Sequence, residues 1–156
     1  MDQPPPRDHH DPELSLGYLV RRCHRGFDRL LSARLAQHDV PTGFWYYLRV
    51  LWRQDGLTQR QLSDATNVTE TTSVAMLNAM ARRQLIERRR DTVDRRKVRV
   101  ALTDAGRALE AEMIGYAGAI NALATQGIDA GEVAICADVL RRMARNLAAG
   151  LAASGE

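Results

Sequence analysis

Basic side chains concentrate in one short stretch near the middle of the chain. Nine arginine and lysine residues lie between Arg82 and Arg99, against three acidic residues. This local excess of six is larger than the formal net charge of +3 for all 156 residues. A planar guanidinium can bind a phosphate or the edge of guanine through two parallel hydrogen bonds. The clustering therefore predicts a polyanionic partner, and nucleic acid is the first candidate.

The two ends of this stretch have the residue pattern of short β-strands. Residues 98–100 (VRV) alternate apolar and charged side chains, and residues 85–88 (LIER) combine two apolar with two charged side chains, so 85–88 and 98–101 are both predicted to be short strands. The residues from Asp91 to Arg96 would form the connecting loop. The sequence therefore predicts a hairpin that carries most of the clustered cations.

Two short helices stand directly before this hairpin. Thr58 and Gln61 have the spacing of a capping box, which predicts a helix over 58–65. After a short turn, Thr69 can cap a second helix over 69–83. Two helices joined by a short turn form a helix-turn-helix. With the hairpin that follows, the pattern predicts a winged helix-turn-helix domain.

Longer helices are predicted on both sides of this domain. Apolar residues recur at steps of three and four over 13–37, 44–54 and 103–125, and again after Asp129, which forms a capping box with Glu132. Residues 1–12 are polar and rich in proline, which predicts a flexible N-terminal arm. The predicted fold class is mainly α with a small β-hairpin.

Composition argues against several classes of protein. No apolar run is long enough to span a bilayer, and no signal-peptide core follows Met1. Cys23 and Cys136 make no C-x-x-C pair, so we expect free thiols and a cytoplasmic location. No nucleophile–base pair, phosphate-binding glycine loop, carboxylate dyad or metal-ligand spacing is present, so we expect neither an enzyme nor a cofactor or metal site.

The predicted wing and its flanks resemble the MarR family of bacterial winged helix-turn-helix transcription regulators. The residues that carry the resemblance are DRR at 94–96, LTDAG at 102–106, GLTQRQL at 56–62 and LIER at 85–88. The likeness covers about residues 14–150. The sequence departs from the family pattern at Gln84, where Gly is usual, at the order of Ser73 and Val74, and at Ala75, where many members carry a basic residue.

The resemblance implies a homodimer that binds a palindromic operator and represses transcription. Residues 13–38 and 103–153 would form dimerisation helices around a DNA-binding lobe at 40–102. A twofold dimer would place its recognition helices about one DNA turn apart. An intramolecular bundle is the alternative arrangement of the terminal helices, and a non-specific architectural DNA-binding protein is the alternative function.

The resemblance also assigns DNA contacts. Arg96 would enter the minor groove while Asp94 holds its guanidinium in place. The expected phosphate contacts of the wing are Arg88, Arg89, Arg90, Arg95 and Lys97. On the second helix, hydroxyl and methyl groups can bind phosphates or touch base edges, and the candidates there are Thr69, Thr71, Thr72, Ala75 and Asn78. Gln59 and Arg60 could reach the DNA backbone.

A small-molecule pocket is implied where the first, second and fifth helices meet. Aromatic side chains beside arginine would suit an aromatic carboxylate, and the candidate residues are Tyr18, Arg22, Phe44, Trp45, Arg49 and Tyr116. Packing in the core and in a dimer interface is the alternative interpretation of these residues. A redox-sensing regulator acting through Cys23 is the alternative to a ligand-responsive one.

Overall fold

The computed structural model describes residues 11–92 and 94–154, so most of the predicted arm at 1–12 lies outside the described residues. The chain divides into two compact units, one ending at Ile120 and the other beginning at Asn121. Each unit is considered by itself. No helix among the described residues is both long and apolar enough to cross a lipid bilayer.

The elements follow one another in the order that the sequence predicts, with one additional strand. The helices are α1 (Leu16–Leu35), α2 (Thr42–Arg53), α3 (Gln59–Thr66), α4 (Glu70–Arg82), α5 (Asp104–Ala124) and α6 (Ala130–Ala153). The strands are β1 (Leu57–Thr58), β2 (Ile86–Arg90) and β3 (Val98–Leu102). The predicted fold class, mainly α with a small β-hairpin, is confirmed.

The first predicted helix is shorter than its apolar pattern indicates. A 3-10 turn spans Pro12–Leu14, and the hydroxyl of Ser15 then accepts a hydrogen bond from the Tyr18 amide at 3.4 Å. Because Ser15 caps the helix, α1 begins at Leu16 rather than at residue 13. A second 3-10 turn at Ala36–His38 replaces its predicted last residues.

Three strands form one antiparallel sheet with the order β1-β3-β2. Strand β3 pairs with β2 along its full length, from Ile86 opposite Leu102 to Arg90 opposite Val98. It also pairs with β1, where Leu57 lies opposite Val100. Sequence reasoning did not predict β1. Two residues carry no alternation pattern of their own, and their pairing depends on a strand about forty residues later.

One apolar core holds the first unit together. It is built from the inner faces of α2, α3 and α4, from the three strands, from the C-terminal part of α1, and from Met113 and Ile120 of α5. The apolar residues with no exposed surface are Leu35, Leu48, Leu51, Leu62, Leu77, Met80 and Met113. This core fixes the orientation of α4 and of the hairpin relative to α2.

The end of α4 turns sharply into β2 through a Schellman motif. The Leu85 amide donates to the Met80 carbonyl at 3.1 Å, and the Gln84 amide donates to the Ala81 carbonyl at 2.9 Å. Gln84 takes a left-handed conformation with φ of 55°. A side chain is disfavoured there, which explains why the family pattern has glycine at this position.

The junction of β3 and α5 is tied to the residues before β1. The carboxylate of Asp55 accepts hydrogen bonds from the Leu102 amide at 2.9 Å and from the Arg107 guanidinium at 2.8 Å. Partial burial alone would raise the pKa of Asp55. The bonds from Leu102, Arg107 and Gly56, with the charge of Arg107, outweigh burial and lower that pKa below its usual value. The carboxylate is therefore ionised and bound at neutral pH.

We expect the change Gln84→Gly to stabilise the protein. Glycine removes the steric cost of the left-handed conformation but gives the unfolded chain more freedom, so the net gain in the free energy of unfolding should be about 1 kcal/mol or less. Urea unfolding at a fixed protein concentration would measure it. Gln126→Gly is the matched control, because Gln126 has no positive φ, and it should bring no gain. A Gln84→Gly protein no more stable than the parent would contradict this account of the turn.

Candidate nucleic-acid interface

A buried hydroxyl contributes to the rotation that α4 adopts about its axis. Ser73 is fully buried, and its hydroxyl forms a 2.8 Å hydrogen bond with that of Tyr47 on α2. With Leu77 and Met80 in the core, this contact turns Thr71 and Ala75 outward. The α4 residues expected to face DNA that are exposed are Thr71, Thr72 and Ala75, and the exposed Thr69 caps the helix.

Val74 adds an apolar group to this surface that sequence reasoning did not select. It is 40% exposed, whereas the neighbouring serine lies in the core. The exchanged order of Ser73 and Val74 relative to the family pattern was the signal for this placement. The outward face of α4 therefore presents hydroxyl and methyl groups rather than cations.

The side chain of Asn78 forms a contact between α4 and β2. It is half-buried, and its side-chain oxygen accepts a 2.7 Å hydrogen bond from the Arg88 guanidinium on β2. This bond joins two residues that were each expected to contact DNA. It adds a direct contact between the helix and the hairpin and uses one acceptor position of the amide.

We call β2, the loop at 91–97 and β3 the wing. Two backbone hydrogen bonds shape its loop, from the Asp91 amide to the Lys97 carbonyl at 3.0 Å and from the Lys97 amide to the Asp94 carbonyl at 2.9 Å. The side chains from Arg88 to Arg90 and from Arg95 to Lys97 are exposed. The wing therefore presents the predicted cations to solvent on a closed hairpin.

The buried carboxylate of Asp91 stabilises this loop. Asp91 is 5% exposed and accepts a hydrogen bond from Nε of Arg99 on β3 and another, of 2.9 Å, from the Asp94 amide. Arg99 also donates to the Gly56 carbonyl at 2.8 Å. Asp91 and Arg99 thus connect the wing to the residues before β1. Sequence reasoning counted both among the charges of the hairpin and gave neither a structural role.

The contacts of Asp94 within the described residues are with the backbone of Arg96 and the side chain of Lys97. Its carboxylate accepts a 3.1 Å hydrogen bond from the backbone amide of Arg96 and lies 3.6 Å from the ammonium of Lys97. The aspartate therefore fixes the backbone of the loop. The Arg96 side chain forms no ion pair with any carboxylate in the described parts of the chain.

The remaining wing cations divide into paired and unpaired side chains. Arg89 forms an ion pair with Glu87, and Arg88 is bound to Asn78. Within residues 11–92 and 94–154, Arg90 and Arg95 have no carboxylate partner. Unpaired guanidiniums at the far end of a hairpin produce a local positive field that an anionic polymer would neutralise.

The start of α3 is built as the sequence predicts. The Thr58 hydroxyl accepts a hydrogen bond from the Gln61 amide at 3.3 Å, and the Gln61 side chain accepts one from the Thr58 amide at 2.9 Å. Both residues of the capping box are therefore engaged with the backbone. Of the two candidate backbone contacts beside them, Gln59 is half-buried and Arg60 is exposed.

The residues predicted to form one small-molecule pocket lie in different places. Phe44 and Trp45 are in the core, with 4% and 1% of their surface exposed. Tyr116 is half-buried and hydrogen-bonded to His38 at 2.7 Å. Tyr18 and Arg22 border a cavity along α1, whereas Arg49 borders a separate cleft between α2 and α3. The single chain therefore does not bring this predicted set together.

The cysteines are both free thiols. Cys23 on α1 and Cys136 on α6 are exposed within the chain and form no disulfide. Cys23 is therefore accessible within the single chain.

Comparison with known proteins gives a consistent family. The sequence profile of the MarR family matches residues 45–98, from α2 to the first residue of β3. The HTH-type transcriptional repressor NicR of Pseudomonas putida is 28% identical over 134 residues, which cover 86% of this chain and 85% of NicR. The HTH-type transcriptional regulator TtmR of Methylorubrum extorquens is 28% identical over 101 residues. That match covers 65% of this chain and about half of TtmR, 52%.

Solved structures have the same fold. BpsR of Bordetella bronchiseptica superimposes with a TM-score of 0.77 at 26% identity, covering 85% of this chain and 94% of BpsR. Its structure is described as showing the mechanism by which 6-hydroxynicotinic acid regulates DNA binding. The transcriptional regulator SlyA superimposes with a TM-score of 0.80 at 20% identity, covering 85% of this chain and 94% of that one.

We expect Asp91→Asn to destabilise the fold. The neutral amide cannot form the charged contact with Arg99, and the loss of a hydrogen bond to a charged group at a buried site costs about 1–3 kcal/mol. Thermal unfolding followed by circular dichroism would measure the change. Asp94→Asn is the matched control in the same loop. Because Asp94 is more exposed, its substitution should cost less than about 1 kcal/mol. Equal stabilities of the two variants would contradict the supporting role of Asp91.

Proposed function

We propose that the chain is a member of the MarR family of winged helix-turn-helix transcription regulators, which it resembles in sequence and fold, and that it is a sequence-specific regulator that represses transcription. It acts as a homodimer on a palindromic operator. A small-molecule ligand releases it from the DNA. Because its proposed partner is duplex DNA, we expect the protein to be cytoplasmic.

The observation that carries the proposal is the geometry of α4 and the wing. An exposed helix face of hydroxyl and methyl groups is joined through Asn78 and Arg88 to a hairpin that carries Arg90, Arg95 and Arg96, and these three arginines form no ion pair with the described residues. A helix of this kind suits the major groove, and an arginine on a hairpin suits a narrow minor groove, where negative potential is concentrated.

The composition of the α4 surface favours a sequence-specific protein over a non-specific architectural one. A protein that grips the phosphate backbone alone relies on cations. The exposed N-terminal half of α4 instead carries Thr71, Thr72, Val74 and Ala75, together with the acidic Glu70. Methyl groups can contact thymine, and hydroxyls can bond to base edges.

The apolar surface of the terminal helices supports a dimer. Helix α1 leaves Val20, Phe27 and Leu30 exposed within its own unit. Helix α6 has no buried residue in the described chain. Its exposed apolar side chains are Ile135, Val139, Leu140, Leu147 and Leu151. Large apolar side chains on one helix face are typical of a surface covered by a partner.

Repression and a ligand response are supported by the relatives. NicR is named a repressor, and the DNA binding of BpsR is regulated by an aromatic carboxylic acid. We therefore propose an aromatic acid as the class of ligand. Such a ligand weakens operator binding by the difference between its affinities for two conformations of the protein, the one that fits DNA and the one that does not.

Arg96→Ala tests the DNA contact. A duplex would first be selected from a random pool, and its affinity for both proteins would then be measured by fluorescence anisotropy over a range of salt concentrations. We expect the variant to bind about tenfold more weakly. The slope of log affinity against log salt should decrease by about one per protomer. The variant makes one contact fewer in each protomer and therefore releases fewer counterions on binding.

Arg145→Ala on α6 is the control for the loss of one arginine and should leave affinity and slope unchanged. An Arg96→Ala protein that binds like the parent would contradict a role for the wing in DNA binding. If the parent binds the selected duplex and a random duplex equally well, the protein is a non-specific architectural one.

The double change Ile135→Glu with Leu147→Glu tests the dimer. Both side chains are exposed within the single chain, 67% and 66%, so the substitutions should not destabilise its fold. In a dimer interface the introduced carboxylates would be buried, and this would destabilise the dimer. Sedimentation velocity should show a dimer for the parent and a monomer, or a much weaker dimer, for the variant. Arg141→Glu with Arg145→Glu is the matched control on other positions of α6. A monomeric parent protein would contradict the proposed assembly.

A further inference from the structure

A cleft of about 450 Å³ lies between α2, β1 and the end of α3. We call it the α2–α3 cleft, and the residues that matter for its chemistry are Tyr46, Arg49, Val50, Arg53, Leu57 and Ala65. We propose that it binds a small planar aromatic carboxylate. This inference rests on the proposed ligand response and gives that response a site. The site differs from the pocket that the sequence predicted, with which it shares only Arg49.

Two arginines that line the cleft form no ion pair within the described residues. Arg49 and Arg53 are one helical turn apart on α2, where like charges repel and destabilise a helix. Neither forms an ion pair with a carboxylate in the described parts of the chain. A bound carboxylate would relieve this repulsion and accept charge-assisted hydrogen bonds from both guanidiniums.

Apolar groups line the rest of the cleft. Leu57 is buried and Val50 is half-buried, while Ala65 offers a small exposed methyl group. The ring of Tyr46 forms one edge and is 41% exposed. A volume of this size matches pockets for small ligands, and a flat aromatic body can stack on the tyrosine.

The phenol of Tyr46 provides a hydrogen-bond donor beside the arginines. Partial burial raises the pKa of Tyr46, the carboxylate of Asp28 raises it further, and the charge of Arg49 opposes both. The group is therefore protonated at neutral pH and can donate to a ligand oxygen. Guanidiniums for the carboxylate and a phenol for a second oxygen would suit a hydroxylated aromatic acid.

The cleft lies near the turn that connects α3 to α4. Ala65 lies at the end of α3, four residues before Thr69, the N-cap of α4. The turn between the helices is held by a 2.6 Å hydrogen bond from the Ser63 hydroxyl to the Val68 carbonyl. Because this turn is bound to α3, a ligand wedged between α2 and α3 would shift the start of α4 with it.

Isothermal titration of the full-length protein without DNA tests the site. Benzoate and 6-hydroxynicotinate serve as carboxylates, and benzamide serves as the neutral control of the same shape. We expect at least one carboxylate to bind, and benzamide to bind about tenfold or more weakly, because the amide forms no charge-assisted bond. Arg49→Gln and Arg53→Gln should each weaken carboxylate binding about tenfold.

Two further variants locate the site. Ala65→Phe should fill the cleft and abolish carboxylate binding while the unfolding temperature is retained. Arg25→Gln, beside the other arginine-lined cavity along α1, should leave the affinity unchanged. If neither carboxylate binds, or if Arg25→Gln weakens binding and the α2 variants do not, the proposal is wrong.

DNA binding separates this inference from the proposed function. Ligand-free Arg49→Gln and Arg53→Gln proteins should bind the selected duplex as the parent does. A lower affinity with a smaller salt slope would mean that these arginines face phosphates, which would overturn the proposed ligand site. Carboxylate binding that depends on Arg49 but leaves DNA affinity unchanged would support the site and contradict the ligand response.

Discussion

The buried pairing of Asp91 with Arg99 positions the wing, and the rest of the candidate interface depends on that position. Removing a carboxylate from water is costly unless charged and hydrogen-bonding partners replace the lost hydration. Here Arg99 and the Asp94 amide supply them. The bond from Arg99 to the Gly56 carbonyl then ties the hairpin to the start of β1. The mutual repulsion of the exposed arginines opposes a compact hairpin, and the pairing of Asp91 with Arg99 offsets part of that repulsion.

The same requirement explains the contacts at the base of the hairpin, where β2 begins beside the end of β3. Where β2 begins, the Schellman motif of α4 delivers Leu85 to the core, and the Leu85 carbonyl approaches Gly106 so closely that a Cβ there would lie 2.1 Å from it. Where β3 ends, Asp55 binds the Leu102 amide and Arg107. The glycine of the LTDAG motif is therefore a packing requirement at a helix–strand junction.

The sequence predicted those features whose causes are local. Capping residues such as Thr58 and Thr69 act on amides within three positions, so the starts of α3 and α4 follow from spacing alone. The features it missed depend on partners distant in the chain or on the burial of a particular face. Strand β1 exists because β3 pairs with it, and the burial of Trp45 depends on which face of α2 the rest of the fold covers. Asp91 has its role because the folded hairpin brings its carboxylate to the guanidinium of Arg99.

Helix α2 links the two surfaces to which we assign functions. Its Tyr47 faces inward and holds Ser73, which sets the rotation of α4, whereas the adjacent Tyr46 faces the α2–α3 cleft. Neighbouring residues on a helix point about 100° apart, so a single rigid element contacts both the proposed ligand and the candidate recognition helix. A ligand that changes the packing of α3 against α2 must also alter the surroundings of the Tyr47–Ser73 bond. Because that hydroxyl pair is buried, it favours one rotation of α4 over others, and a small displacement at the cleft can therefore become a change in which α4 side chains face the DNA.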